Sequence, residues 1–118
     1  MQVDHFVMSV NSEQPQRLIE FYRDTVGLTP GPVPGSFMAG SSPFFALVIG
    51  DHSEVKGVTK EPQRVLLNFF LSDLESEEAR LKGQGVRFLK SATKQPGVTI
   101  ATFLDPDGNY CQLLQLKQ

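Results

Sequence analysis

The side chains in this chain best suited to metal ligation, nucleophilic attack or proton transfer are few: His5, His52, Cys111 and the carboxylate run Glu75, Glu77 and Glu78. Each has an ordinary structural reading beside the chemical one. His52 stands in the polar stretch 51–64, among Asp51, Ser53 and Glu54, and reads as solvated surface. Cys111 alternates with Tyr110 and Gln112 in a strand-like run, which turns it toward the helix side. With no His or Lys neighbour suggested, its thiol reads as buried and structural. The three glutamates sit on a helical segment and read as helix-surface charge rather than an acid/base pair. No glycine-rich phosphate loop precedes a helix, because "GPVPG" is followed by strand-like residues. What remains is His5, and two uncharged amides, Asn68 and Gln112, set among apolar residues.

The elements that must position these groups repeat. "VDHFVMSV", residues 3–10, alternates as a half-buried strand does, with Phe6, Met8 and Val10 on one face and Val3, His5, Val7 and Ser9 on the other. A helical segment follows. Asn11, Ser12 or Gln14 could cap it, Pro15 suits its first turn, Leu18, Phe21 or Tyr22, and Val26 form its apolar stripe, and Gly27 ends it. Residues 28–43, rich in proline and glycine, fit two short strands joined by turns, and "FFALVIG", residues 44–50, is a clearer strand. After the polar connection 51–64 the order begins again: strand "VLLNFFL", a helix capped by Ser72 or Asp73 with Leu74, Glu78 and Leu81 along one side, then strands "VRFL", "VTIATFL" and "YCQLLQL". The turn Asp105-Pro106-Asp107-Gly108 leads into the last of them. Each half therefore reads as strand, helix, then about three strands, which predicts an α+β fold of two tandem βαβββ modules, residues 1–50 and 65–118. Pairing the modules would form a curved mixed sheet around a cleft.

The bulk numbers narrow the function classes. The 118 residues are enough for one domain with a real core, with 40% hydrophobic and 20% charged residues. A net charge of -2 with scattered Lys and Arg gives no footprint for nucleic acid. No apolar run reaches the length of a membrane span, and the N-terminal stretch does not read as a signal peptide. A single cysteine allows no intramolecular disulfide, so the expected compartment is the cytoplasm.

Three stretches carry a family resemblance. "VDHFVMSV" with "FYRDTVGL", then "LSDLESEEARLKGQGVRF", then "FLDPDGNYCQLLQ" together resemble, in order, the vicinal oxygen chelate superfamily. That group includes glyoxalase I, extradiol dioxygenases and bleomycin-resistance proteins. The resemblance implies paired βαβββ modules around a cleft, frequent dimerisation, and, in metal-using members, ligands at inward positions on the first and last strands of each module. Those positions fall on His5, about Ala46, Leu66 and Gln112 in this chain. His5 matches. Leu66 stands where such members usually have His, Gln112 where they usually have Glu, and Ala46 cannot ligate. A Lewis-acid metal needs about three or four protein ligands, so no metal or other cofactor is expected, with His5 and Gln112 the residual metal candidates.

On this register the inward faces present His5, Val7, Ser9, Leu66, Asn68, Phe70, Tyr110, Gln112 and Leu114, an apolar lining with a few hydrogen-bonding groups. The same residues could instead fill a closed core in which Asn68 and Gln112 satisfy one another, or His5. The reading favoured by the residues is a metal-independent small-molecule binder, holding a partly aromatic ligand and assembling as a homodimer. The alternatives are a metal-dependent glyoxalase- or dioxygenase-like enzyme using His5 and Gln112, a metal-free enzyme with His5 as general base, and a non-catalytic interaction module.

Overall fold

A computed structural model of the chain describes residues 1–41 and 43–117; Ser42, in the turn-rich stretch, and Gln118 lie outside the described residues. The chain divides into two compact units, Met1–Gly57 and Val58–Gln118. The fold class is α+β, and the order of elements is consistent with two βαβββ modules, the first with two strands after its helix instead of three.

In the first unit, β1 (Met8–Asn11) leads into α1 (Pro15–Glu20), and β2 (Ser36–Met38) and β3 (Phe45–Gly50) complete a sheet of order β1-β3-β2. β1 runs parallel to β3, with Met8 opposite Leu47 and Val10 opposite Ile49. Leu47 and Ile49 are buried, as are Leu18 and Tyr22 of the helical segment and Phe37 of β2. Pro15 occupies the first turn of α1, and Ser12 steadies the approach by accepting a hydrogen bond from the Gln14 N–H. The segment then widens into a π-helical turn over Phe21–Val26, which ends at Gly27 with φ of 89°. That left-handed conformation suits glycine and explains the stop.

Two expectations for this unit need correction. The first strand is four residues long and does not extend over 3–10, because only Met8–Asn11 finds a partner in β3. Alternation alone does not make a strand without backbone groups to pair with. Among its described residues the stretch 28–43 supplies one strand rather than two, with an isolated bridge between Pro30 and Phe37 in place of the other. Prolines at 30, 32 and 34 remove the N–H groups that a longer ladder would use.

The second unit is more regular. β4 (Leu66–Phe70), α2 (Leu74–Gly83), β5 (Phe88–Gln95), β6 (Val98–Leu104) and β7 (Tyr110–Leu116) give a sheet of order β4-β7-β6-β5. Asp73 caps α2 by accepting hydrogen bonds from the Ser76 N–H and Ser76 hydroxyl. One sheet face carries Leu67, Ala101, Phe103, Cys111 and Leu113, all buried, as are Leu74 and Leu81 of α2. Cys111 is thus a core thiol, as expected. β5 runs six residues beyond the expected "VRFL" segment, held by antiparallel pairing with β6 across the tight turn at Gly97.

Glu78 also departs from expectation. It is not surface charge: the residue is buried, accepts a hydrogen bond from the Ala92 N–H at 2.7 Å and meets the Lys82 ammonium at 2.7 Å. Burial alone would push its carboxyl up, but the Lys82 and Ala92 hydrogen bonds outweigh that and hold it below the ordinary glutamate value. The carboxylate therefore ties α2 to β5. Glu78→Gln should lower unfolding free energy at neutral pH by about 1–3 kcal/mol. A folded-state pKa below the unfolded one gives stability that is present above the unfolded value and lost as pH falls through the folded one. The gap between variant and parent in urea denaturation should accordingly narrow once pH drops below 4.5, the ordinary value for this group.

Candidate functional site

The opposite face of the second sheet is where the candidate residues gather. Parallel pairing of β4 with β7 puts Leu66 opposite Tyr110, Asn68 opposite Gln112 and Phe70 opposite Leu114. Six of the nine sequence-derived candidates therefore form three direct cross-strand pairs on one face. The next strand extends each pair: Leu104 lies beside Tyr110, Thr102 beside Gln112 and Ile100 beside Leu114. The result is a polar row flanked by two apolar rows, with side chains spaced at about 4.8 Å across the strands. Leu66 is 38% exposed and Phe70 63%, whereas Leu67 and Phe69, which alternate with them on β4, turn toward the helix side.

The closed-core alternative does not describe this face. Asn68 is exposed, and neither its side-chain amide nor that of Gln112 makes a hydrogen bond among the described residues. The Tyr110 hydroxyl does have a partner, accepting a long hydrogen bond from the Gln63 amide at 3.4 Å.

Below the last of these rows, the C-terminal end of β4 opens into a groove of about 850 Å³ walled in part by Phe70 and Leu116. It lies next to the start of α2, where two of the helix's first N–H groups already have side-chain partners. The Leu74 N–H donates to the Gln115 side chain at 2.8 Å and the Ser76 N–H to Asp73. The groove has mixed walls, since Ser72, Thr99, Gln115 and Lys117 line it together with Phe70, Leu71 and Leu116.

The remaining three candidates belong to the first unit. His5 precedes β1 and stacks flat on Phe44, ring centroids 4.6 Å apart at 5°, with Phe45 edge-on at 6.4 Å. Ser9 lies on β1 opposite Val48, on the face away from Met8 and Val10. Val7 is half-buried just before the strand. His52 is exposed, and its Nδ1 accepts a hydrogen bond from the Glu54 N–H.

These residues do not fit a divalent metal. Of the four positions that the resemblance assigns to ligands, Ala46 and Leu66 carry no donor atom and Gln112 carries a neutral amide. His5 sits on an irregular segment, engaged with an aromatic ring. Among the described residues no group of three or more His, Cys, Asp or Glu side chains is arranged to hold a metal ion.

Comparison with known proteins agrees with the element order. The model of the family described as a glyoxalase-like domain matches residues 6–114, nearly the whole chain. The chain belongs to the glyoxalase-like domain family. Among solved structures, this glyoxalase-like chain is similar to TnmS3, an antibiotic-binding protein from Streptomyces sp. CB03234. The two are 25% identical with a TM-score of 0.76, and 99% of each chain is covered. It also superposes on a glyoxalase/bleomycin resistance protein/dioxygenase from Nocardioides, 18% identical with a TM-score of 0.72, covering 100% of this chain and 86% of that one. A curated relative, the uncharacterized protein YurT of Bacillus subtilis (strain 168), is 45% identical over 47 residues, which is 40% of this chain and 37% of YurT. The match thus spans little more than a third of that relative.

Thr102, Ile100, Leu104 and a fourth-strand residue, Lys90, were not among the sequence-derived candidates. The alternation in "VTIATFL" carries the first three, once the Asp-Pro-Asp-Gly turn fixes Leu104 opposite Tyr110. Lys90 had no such signal. β5 slips register between Phe88 and Lys90, so a period of two counted from Phe88 assigns Lys90 to the wrong face.

No helix of the described chain is long and apolar enough to cross a membrane.

Proposed function

We propose that this glyoxalase-like domain binds a small, partly aromatic molecule on the open face of its second sheet, without a metal ion. The observation that carries the reading is the row of Asn68, Gln112 and Thr102 set between two apolar rows that include Phe70 and Tyr110. Flat apolar rows favour stacking of a planar ring system. The amides between them have donors and acceptors to spare for a ligand's polar edge, which fixes orientation. The antibiotic-binding role of TnmS3, at 25% identity over nearly the full length, supports the same class of activity. The donor-poor set Ala46, Leu66 and Gln112 supports a binding rather than a Lewis-acid role. The same reading has the protein work in the cytoplasm as a homodimer, a compartment suited to the lone buried thiol of Cys111.

The test uses phenylnaphthylamine, an uncharged aromatic fluorophore. Saturable binding of one dye per chain is expected, unchanged after exhaustive dialysis against EDTA. Phe70→Asp should weaken it by roughly tenfold to a hundredfold, the loss of one buried ring contact. Absence of saturable binding by the parent protein would overturn the reading. So would zinc or nickel that co-purifies at one per chain and is needed for the dye to bind.

A further inference from the structure

The polar row does not stop at Thr102. β5 pairs with β6 so that Lys90 stands opposite Thr102, and the row runs Asn68, Gln112, Thr102, Lys90 across all four strands. Three strand spacings make it about 14 Å long, comparable to a two- or three-ring molecule. Its chemistry changes along that length. The two amides at the β4 side both donate and accept, Thr102 in the middle is buried and only 8% exposed, and the ammonium at the β5 side only donates and is charged.

The register slip just before Lys90 is what brings this side chain over the face. A bulge adds a residue to one strand and re-aims the side chains next to it. Phe88, on the other side of the slip, points into the core and packs on Phe103 with ring centroids 5.4 Å apart. Lys90 itself is exposed. Lys82 and Lys56, in contrast, meet Glu78 and Glu13. No hydrogen bond or ion pair engages the Lys90 ammonium among the described residues, and no Asp or Glu shares its face in the strand register.

We propose that the molecule bound on this face is an aromatic acid, with its rings against the apolar rows and its carboxylate, sulfonate or acidic phenolate at the Lys90 end of the polar row. This rests on the binding role proposed above and names the chemistry of the ligand. A single cation at one end of a neutral face selects for one anionic group at one end of the ligand and disfavours cationic ligands in the same pose. The neutral amides, 10 Å or so distant by strand spacing, suit an uncharged carbonyl or hydroxyl at the opposite end.

Two fluorophores that differ only in the acid separate this from the binding role itself: anilinonaphthalene sulfonate and phenylnaphthylamine, the same ring system without the sulfonate. The parent protein should bind the sulfonate more tightly than the neutral dye, by roughly threefold to tenfold at low salt, with the preference shrinking as salt is added. Lys90→Met should erase the preference, bringing the ratio of the two affinities to within about twofold of one, while Lys90→Arg should keep it. Unfolding of Lys90→Met by urea should match the parent, since the side chain is exposed and makes no internal bond. If both dyes bind the parent and Lys90→Met leaves their ratio unchanged, the acid assignment fails and the binding role stands. If neither dye binds the parent saturably, the binding role fails and the acid assignment with it.

Discussion

Replacing Phe103 with Ala should lower the unfolding free energy by about 3–5 kcal/mol, the cost of emptying an aromatic site in a packed core. Phe103 is fully buried on the helix face of β6, where it pairs with Phe88. Phe70→Ala, on the open face of β4 with 63% of the residue exposed, should change stability by no more than about 0.5 kcal/mol. Urea denaturation followed by circular dichroism measures both. The comparison is informative because the two rings lie on opposite faces of one sheet. A large loss at Phe70 would mean that the open face is packed in solution and is not available to a ligand. Equal small losses would mean that α2 does not seal the core where Phe103 sits.

The second large effect is expected at Asp105. Its residue is buried, and one carboxylate oxygen accepts from the Asp107 and Asn109 N–H groups at 2.9 Å each while the other accepts from the Asn109 amide at 2.8 Å. Asp105→Ala strands those donors and should cost about 2–4 kcal/mol, a few hydrogen bonds to a charged acceptor less their partial rehydration. Asp105→Asn keeps the shape and one acceptor oxygen, so it should recover part of the loss. The turn also places the candidate face. It sets Leu104 opposite Tyr110, and from that pair every residue of β7 counts down against β6. A disordered turn therefore predicts weakened dye binding alongside lowered stability. Unchanged stability in Asp105→Ala would show that the hairpin register is held by the strands alone.

The legible part of the fold was the part with strong local chemistry. Asp73 ahead of Ser76, the proline in the first turn of α1, Gly27 at the helix end, and the Asp-Pro-Asp-Gly turn each name a local conformation that few other residues could impose. The period-two alternation of "YCQLLQL" sorted Cys111 and Leu113 to the core and Gln112 and Leu114 to the open face. What stayed hidden was set by partners distant in the chain. The first strand is short because only Met8–Asn11 pairs with β3, along Leu47–Gly50, and no pattern inside residues 3–10 could say so. Glu78 reads as surface charge until β5 supplies the Ala92 N–H that makes its burial favourable. Lys90 lies beyond a bulge, and a bulge breaks the counting rule on which strand faces are read.

β5 also bears on how copies of the chain can meet. It is the outer strand of its sheet, and its pairing with β6 is irregular in two places, between Phe88 and Lys90 and between Lys90 and Thr93. Irregular, lysine-bearing outer strands are poor templates for the backbone of another molecule, since the free N–H and C=O groups no longer fall on a straight ladder. The kinks that lift Lys90 over the face thus also guard the margin of the sheet against end-to-end joining. Fibre-like growth of one chain upon another through β5 is thereby disfavoured.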